Sequence, residues 1–205
     1  MKKRQLGNSD LFVTEMGLGC MSLGTSETEA MRIIDEAIDL GINFFDTADL
    51  YDYGLNEEFV GKALKGKRDK IVLTTKVGNR WTEEKNGWSW DPSKNYIKAE
   101  VKESLRRLQT DYIDLLYIHY PDESTPKDEA VGALKALKDE GKIRAIGLSN
   151  FSMDQLKEAN KDGYVDVYQG EYSLLNREAE KELLPYALEQ NISFVQFFPL
   201  VAGLL

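Results

Sequence analysis

"IDLLYIHYPDESTPKDEAVGALKALKDEGKIRAIGLSNF", residues 113–151, holds two apolar runs separated by a helical pattern. Residues 113–119 and 143–149 are nearly continuous in apolar side chains, the pattern of strands buried on both faces. Residues 125–141 have helical periodicity, with Pro126 in the first turn and Gly141 at the end. A strand, a helix and a second buried strand make a parallel βαβ unit.

The same alternation continues outward in both directions. Toward the N-terminus, 91–108 reads as a helix that starts with Asp91 and Pro92 and buries Ile97, Val101, Leu105 and Leu108. Before it come a strand at 70–76, a short helix at 57–64 and a strand at 42–46. The helix at 26–41 opens with Ser26 and Glu29 in a capping box and carries Ala30, Ile33, Ile34, Ala37 and Ile38 on one face. A short strand at 16–20 precedes it. "KRQL" and "LFVTE" flank a "GNSD" turn as a hairpin. Toward the C-terminus come a helix at 152–159 with a second capping box (Ser152, Gln155) and a strand at 165–169. A helix at 177–191 follows, which Pro185 should kink or divide, then a strand at 192–198. The unit is β then α, seven times, with no linker or low-complexity tract, so residues 1–205 form one α/β domain. Two architectures satisfy this pattern: an open doubly wound sheet and a (β/α)8 barrel.

Composition narrows the partners. The chain has 205 residues, 42% hydrophobic and 30% charged, with a net charge of -9. No basic stripe marks a nucleic-acid surface; "KALKGKRDK" (62–70) reads as a solvated helix end. The N-terminus lacks the apolar run of a signal peptide, and no stretch approaches the ~18 apolar residues of a membrane span. One cysteine, Cys20, excludes an internal disulfide and fits a cytoplasmic location. One His and one Cys argue against a structural metal site.

In both architectures chemistry gathers at the carboxyl ends of the strands. Asp46, Lys76, His119, Ser149 with Asn150, Gln169 and Phe197 occupy those ends on successive strands. Each alone has a structural explanation, such as a capped turn or a satisfied core histidine. Together they form one rim. Tyr51 lies in the turn after the Asp46 strand. With Asp46, Lys76 and His119 it makes an acid–base set. An ammonium lowers the pKa of a neighbouring phenol, a carboxylate partners the ammonium, and an imidazole hydrogen-bonds a carbonyl oxygen.

These residues sit in motifs that resemble the aldo-keto reductases nearly end to end. The motifs are "GLGCMSLG" (17–24), "INFFDTADLYDYG" (42–54), "VLTTKVG" (72–78), "ESLRRLQTDYIDLLYIHYPD" (103–122), "GLSNF" (147–151), "YQGEYSLLNRE" (168–178) and "FPLVAGLL" (198–205). The resemblance is greatest to bacterial reductases related to an inositol-utilisation member and to potassium-channel β subunits. It implies a (β/α)8 barrel plugged at its bottom by the N-terminal hairpin. It also implies reduction of aldehydes and ketones with NADPH, without a metal.

The family's catalytic tetrad falls on Asp46, Tyr51, Lys76 and His119. Its nicotinamide contacts fall on Ser149, Asn150 and Gln169, with Phe197 as the stacking aromatic. Pro199, Leu200 and Gly203 lie in the stretch whose amides approach the pyrophosphate, and Gly19, Cys20 and Met21 on the cofactor side of the first loop. Trp81, Trp88, Trp90 and Tyr120 become substrate-side walls for a small-molecule carbonyl. A dinucleotide fingerprint in "GLGCMSLG" is rejected: Ser22 stands where Gly or Ala is required, and Tyr51, Lys76 and His119 go unexplained.

An eight-fold barrel takes about 250 residues, and only seven strands are found here. The resemblance therefore implies a C-terminally truncated barrel. Its open edges would stay open, close partly, or pair with a second copy. The leading expectation is an NADP-dependent carbonyl reductase. The alternatives are an NADP(H)-binding regulatory barrel with little turnover and an inactive truncated reductase.

Overall fold

The computed structural model describes residues 1–204, apart from the side chain of Ala202. A parallel sheet of seven strands carries the fold. Its strands are β3 (Leu18–Gly19), β4 (Phe44–Asp46), β5 (Val72–Val77), β8 (Ile113–Ile118), β9 (Ile143–Ser149), β10 (Val167–Glu171) and β11 (Ser193–Phe197). They pair in chain order, with β3 and β11 as the edges. This is a barrel-type sheet that does not close on itself among the described residues. Two antiparallel hairpins accompany it: β1 (Lys3–Gln5) with β2 (Phe12–Thr14), and β6 (Asn79–Trp81) with β7 (Trp88–Trp90).

Six α-helices cross between the strands: α1 (Glu27–Asp39), α2 (Leu55–Ala63), α3 (Lys94–Leu108), α4 (Lys127–Asp139), α5 (Met153–Ala159) and α6 (Leu183–Glu189). The seventh helix expected from the repeat is absent among the described residues, where only a 3-10 turn, Val201–Gly203, follows β11. Helix α3 begins after Asp91 and Pro92, because the Ser93 hydroxyl accepts from Tyr96 N–H and is the cap. Pro126 is likewise the cap of α4, one residue before its first turn. Ser152 and Gln155 form the reciprocal capping box of α5. At α1 the Ser26 hydroxyl accepts from Glu29 N–H, while the Glu29 carboxylate binds Arg32 instead of closing the box. The 177–191 segment does divide. A 3-10 turn, Glu178–Glu180, precedes α6, and Pro185 sits in the first turn of α6, where an N–H would have no intrahelical partner.

The sheet sorts its side chains by parity. Outward residues such as Phe45, Leu73, Leu116, Ile118, Ile146 and Leu148 pack under the helices in the larger apolar cluster. Inward residues Phe44, Val72, Leu115, Tyr117, Ala145 and Val167 form a second cluster with Leu6, Leu11 and Val13 of the N-terminal hairpin. The hairpin therefore plugs one end of the sheet's inner face. Climbing that face two residues at a time, each strand passes from apolar to polar: Phe44 to Asp46, Val72 through Thr74 to Lys76, Leu115 through Tyr117 to His119, and Val167 to Gln169. Gly147 makes room for this layering. A Cβ there would lie 2.3 Å from the Tyr117 ring, so only glycine fits opposite that tyrosine.

Candidate active site

The polar ends of the inner face converge. Lys76 is 1% exposed. Its ammonium binds the Asp46 carboxylate and donates to the Thr47 carbonyl at 2.9 Å and the Tyr51 hydroxyl at 3.1 Å. Three N–H donors thus meet three acceptors, as a buried ammonium requires. Asp46 is equally saturated, since its second oxygen accepts from Thr74 Oγ1 at 3.0 Å and Gln169 Nε2 at 2.8 Å. Burial lowers the Lys76 pKa, yet Asp46 and Tyr51 more than offset it and hold the group charged.

Tyr51 reaches this ammonium because of the turn that carries it. Thr47 N–H and Asp49 N–H donate to Thr74 and Lys76 carbonyls, which extends the β4–β5 ladder past Asp46. The chain then enters a 3-10 turn, Tyr51–Gly54, in which Asp52 and Tyr53 both have positive φ. Two left-handed non-glycine residues in succession are a strained arrangement of the kind found where side chains must be aimed. Gly54 completes the turn at φ 90, and a Cβ there would meet Arg107 Cδ at 2.8 Å.

The phenol differs from the sequence expectation. Lys76 does pull the Tyr51 pKa down, but burial pushes it up more strongly and Asp46 adds to the rise, so the net shift is upward. The phenol is therefore protonated at neutral pH.

His119 follows β8, 8% exposed, with its ring 6.1 Å from the Tyr51 ring and nearly perpendicular to it. Burial, with the Lys76 charge second, lowers the imidazole pKa to about 2. The unfolded chain, with an ordinary His pKa near ~6.5, binds the extra proton between those values. Stability from this group is therefore present above pH 6.5 and is lost as the pH falls through that window. Between pH 7.5 and 5 the wild-type chain should lose about 2 kcal/mol more than His119→Gln in urea unfolding. Equal losses would show that the imidazole is not held neutral.

The remaining predicted residues divide into two groups. Ser149, the last residue of β9, is the register partner of Gln169, which lies in the middle of β10 and not at its end because that strand runs on to Glu171; both are buried. Asn150 has φ 61, and its amide donates to the His119 carbonyl and to Ser149 Oγ, both at 3.1 Å. Gly19 pairs with Asp46, Cys20 is fully buried with its thiol pushed up to about 12 mainly by burial, and Met21 is exposed.

Phe197 ends β11 opposite Glu171, edge-on to Phe198. Neither it nor Pro199, Leu200 or Gly203 hydrogen-bonds to the Asp46–Lys76 cluster. The amides of Val201, Gly203 and Leu204 are taken up in their own turn. Leu205, the last residue of the expected pyrophosphate stretch, lies outside the described residues.

Trp81, Trp88, Trp90 and Tyr120 were expected as substrate-side walls. The three tryptophans ride on the β6–β7 hairpin, which the sequence reading missed because its two strands have only three residues each, while Tyr120 follows β8. Trp90 stacks on Tyr120 at 4.2 Å, and Tyr120 leans on His119 at 4.9 Å. Trp81 meets Tyr53 edge-on at 6.1 Å, and Trp88 is outermost at 60% exposed. Asn79, also missed, is fully buried with Nδ2 3.0 Å from His119 Nδ1. The signal that found its neighbours, a polar residue just past an apolar strand, applies to it as well.

Comparison with known proteins agrees with this architecture. The model of the aldo/keto reductase family matches residues 15–205. An uncharacterized oxidoreductase from Bacillus subtilis, YqkF, is 50% identical over 205 residues, which is all of this chain and 67% of that protein. The solved holo form of aldo-keto reductase AKR11C1 from Bacillus halodurans superposes with a TM-score of 0.96 at 55% identity, covering 100% of this chain and 68% of that one. An aldo/keto reductase from Klebsiella pneumoniae, solved with NADP and acetate, has a TM-score of 0.82 at 31% identity over 94% of this chain and 66% of its own. The chain thus spans about two thirds of the length of these relatives. A family match from residue 15 onward, a relative identical at half of its aligned positions and the shared inner-face layering lead to one assignment: this chain belongs to the aldo/keto reductase family.

Proposed function

We propose that the chain carries the catalytic residues of an NADPH-dependent reductase of aldehydes and ketones, in the branch that its motifs resemble, working in the cytoplasm as one barrel domain. The observation that carries this reading is the saturated, buried Lys76 ammonium joining Asp46 to the Tyr51 hydroxyl beside a neutral His119.

The residues present fit a nicotinamide carboxamide. Asn150 Oδ1 and Gln169 Oε1 accept no hydrogen bond among the described residues, and the Ser149 hydroxyl accepts one bond while its own hydrogen is free. Those groups complement an amide's two N–H donors and one oxygen. NADPH, when bound, supplies the hydride. Ser149, Asn150 and Gln169 orient its amide, and Phe197 offers a ring face. Neutral His119 donates a hydrogen bond to the substrate carbonyl oxygen and orients it. Tyr51 gives that oxygen its proton, and the Lys76 charge stabilises the phenolate that remains. Trp81, Trp88, Trp90 and Tyr120 form an apolar wall that excludes water from the carbonyl. The Klebsiella relative's complex with NADP supports the choice of cofactor.

All three tryptophans lie on the β6–β7 rim, so their fluorescence reports on the site. Titrating the 205-residue chain with NADPH should give saturable quenching, and adding a simple aldehyde should oxidise the cofactor. A folded chain that neither binds nor oxidises NADPH would overturn the reading for this chain.

A further inference from the structure

Beneath His119 lie two buried side chains that the proposed reduction does not use. Asp49 and Asn79 are both fully buried, and Asn79 Nδ2 touches Asp49 Oδ1 on one side and His119 Nδ1 on the other. The second oxygen of each, Asp49 Oδ2 and Asn79 Oδ1, is buried without a hydrogen-bond partner among the described residues. An amide nitrogen has two hydrogens and no lone pair to offer, so both of its contacts are donations. His119 Nδ1 is then an acceptor, and a neutral ring keeps its one proton on Nε2.

We propose that Asp49 and Asn79 are positioning residues that lock His119 in its Nε2–H tautomer. Asp49 carries a proton that it donates from Oδ2 to Asn79 Oδ1, and Asn79 in turn donates to Asp49 Oδ1 and His119 Nδ1.

One proton on Asp49 supplies the donor that both orphaned oxygens lack. The surroundings oppose ionisation of this carboxyl. Burial raises its pKa well above the ordinary value, and the nearby Glu57 of α2 and Glu100 of α3 raise it further. The Arg107 guanidinium of α3 is already bound to both glutamates. The opposing influences, the Asn79 amide and the Leu50 backbone N–H, are both neutral. The Asp49–Asn79 link also fixes the amide's orientation. Turned the other way, Asn79 would present its oxygen to His119 and select the Nδ1–H tautomer, which leaves Nε2 no proton to donate.

The value of an Nε2–H donor rests on the proposed carbonyl reduction; the tautomer itself does not. The chain has one histidine, so 15N-histidine labelling yields a single imidazole with two nitrogen signals. The wild-type chain should show a pyridine-type Nδ1 and a pyrrole-type Nε2, unchanged from about pH 5.5 to 8 given the depressed imidazole pKa. A pyrrole-type Nδ1, or signals averaged between the two tautomers, would overturn the proposal. Asn79→Asp, which once ionised offers acceptors only, should move the proton to Nδ1 or produce imidazolium. A neutral ring that keeps its pyridine-type Nδ1 in that variant would also overturn it. Asp49→Asn, whose amide can donate where the acid did, should preserve the wild-type signals, whereas Asp49→Leu should lose them. Loss in Asp49→Asn would remove the protonated Asp49 from the account. If the signals are as expected but the chain fails to reduce aldehydes, the functional reading falls and the tautomer assignment stands.

Discussion

Tyr51→Phe should lower NADPH-dependent aldehyde reduction by about 100- to 10,000-fold, the usual contribution of a positioned general acid, while NADPH still binds. The substitution removes only the hydroxyl that sits 3.1 Å from Lys76 Nζ. The aromatic ring stays, so its edge contact with His119 and its place in the strained 51–54 turn are kept. Because burial holds the Tyr51 pKa above its ordinary value, the phenol is protonated across neutral pH. The wild-type rate should therefore be level on the neutral side and fall only at alkaline pH, where the proton is lost. Steady-state rates of the two chains, with fluorescence titration of NADPH alongside, check both parts. Unchanged turnover in the variant would remove Tyr51 from the role of acid.

Asp46→Ala is expected to destabilise the chain by about 3–5 kcal/mol, the effect of leaving one member of a buried ion pair alone. The substitution strips Lys76, at 1% exposed, of its only carboxylate partner among the described residues and orphans the donors of Thr74 and Gln169. Substituting both members of the pair, as in Asp46→Leu with Lys76→Met, should cost less than Asp46→Ala, since no uncompensated charge then remains. Urea unfolding of the three chains tests this. A loss below about 1 kcal/mol for Asp46→Ala would mean that the pair behaves like an exposed one.

The placing of Asp46, Lys76 and His119 at or just past strand ends and the order of strands and helices were legible in the sequence because both are local signals. An apolar run followed at once by Asp46, Lys76 or His119 marks a buried strand reaching a polar end, and the parallel topology brings such ends together. The β6–β7 hairpin was not legible. Strands of three residues give too short a period to stand out, and Trp81 and Trp90 face each other's strand only once the turn between them closes. Boundaries at Ser93 and Pro126 shifted for a similar reason, since a cap is defined by the hydrogen bond made and not by residue type alone.

By itself the sequence determined that this is a parallel α/β chain with Asp46, Lys76 and His119 at strand ends, because hydrophobic periodicity and residue type are properties of neighbouring positions. Only the tertiary structure decided how protons and charges are shared among them. Gln169 reaches Asp46 from 123 positions away. Asn79 meets His119 across two strands, and burial outweighs Lys76 at the Tyr51 phenol. Those outcomes depend on register, distance and desolvation, which exist only when the strands are paired and water has been excluded.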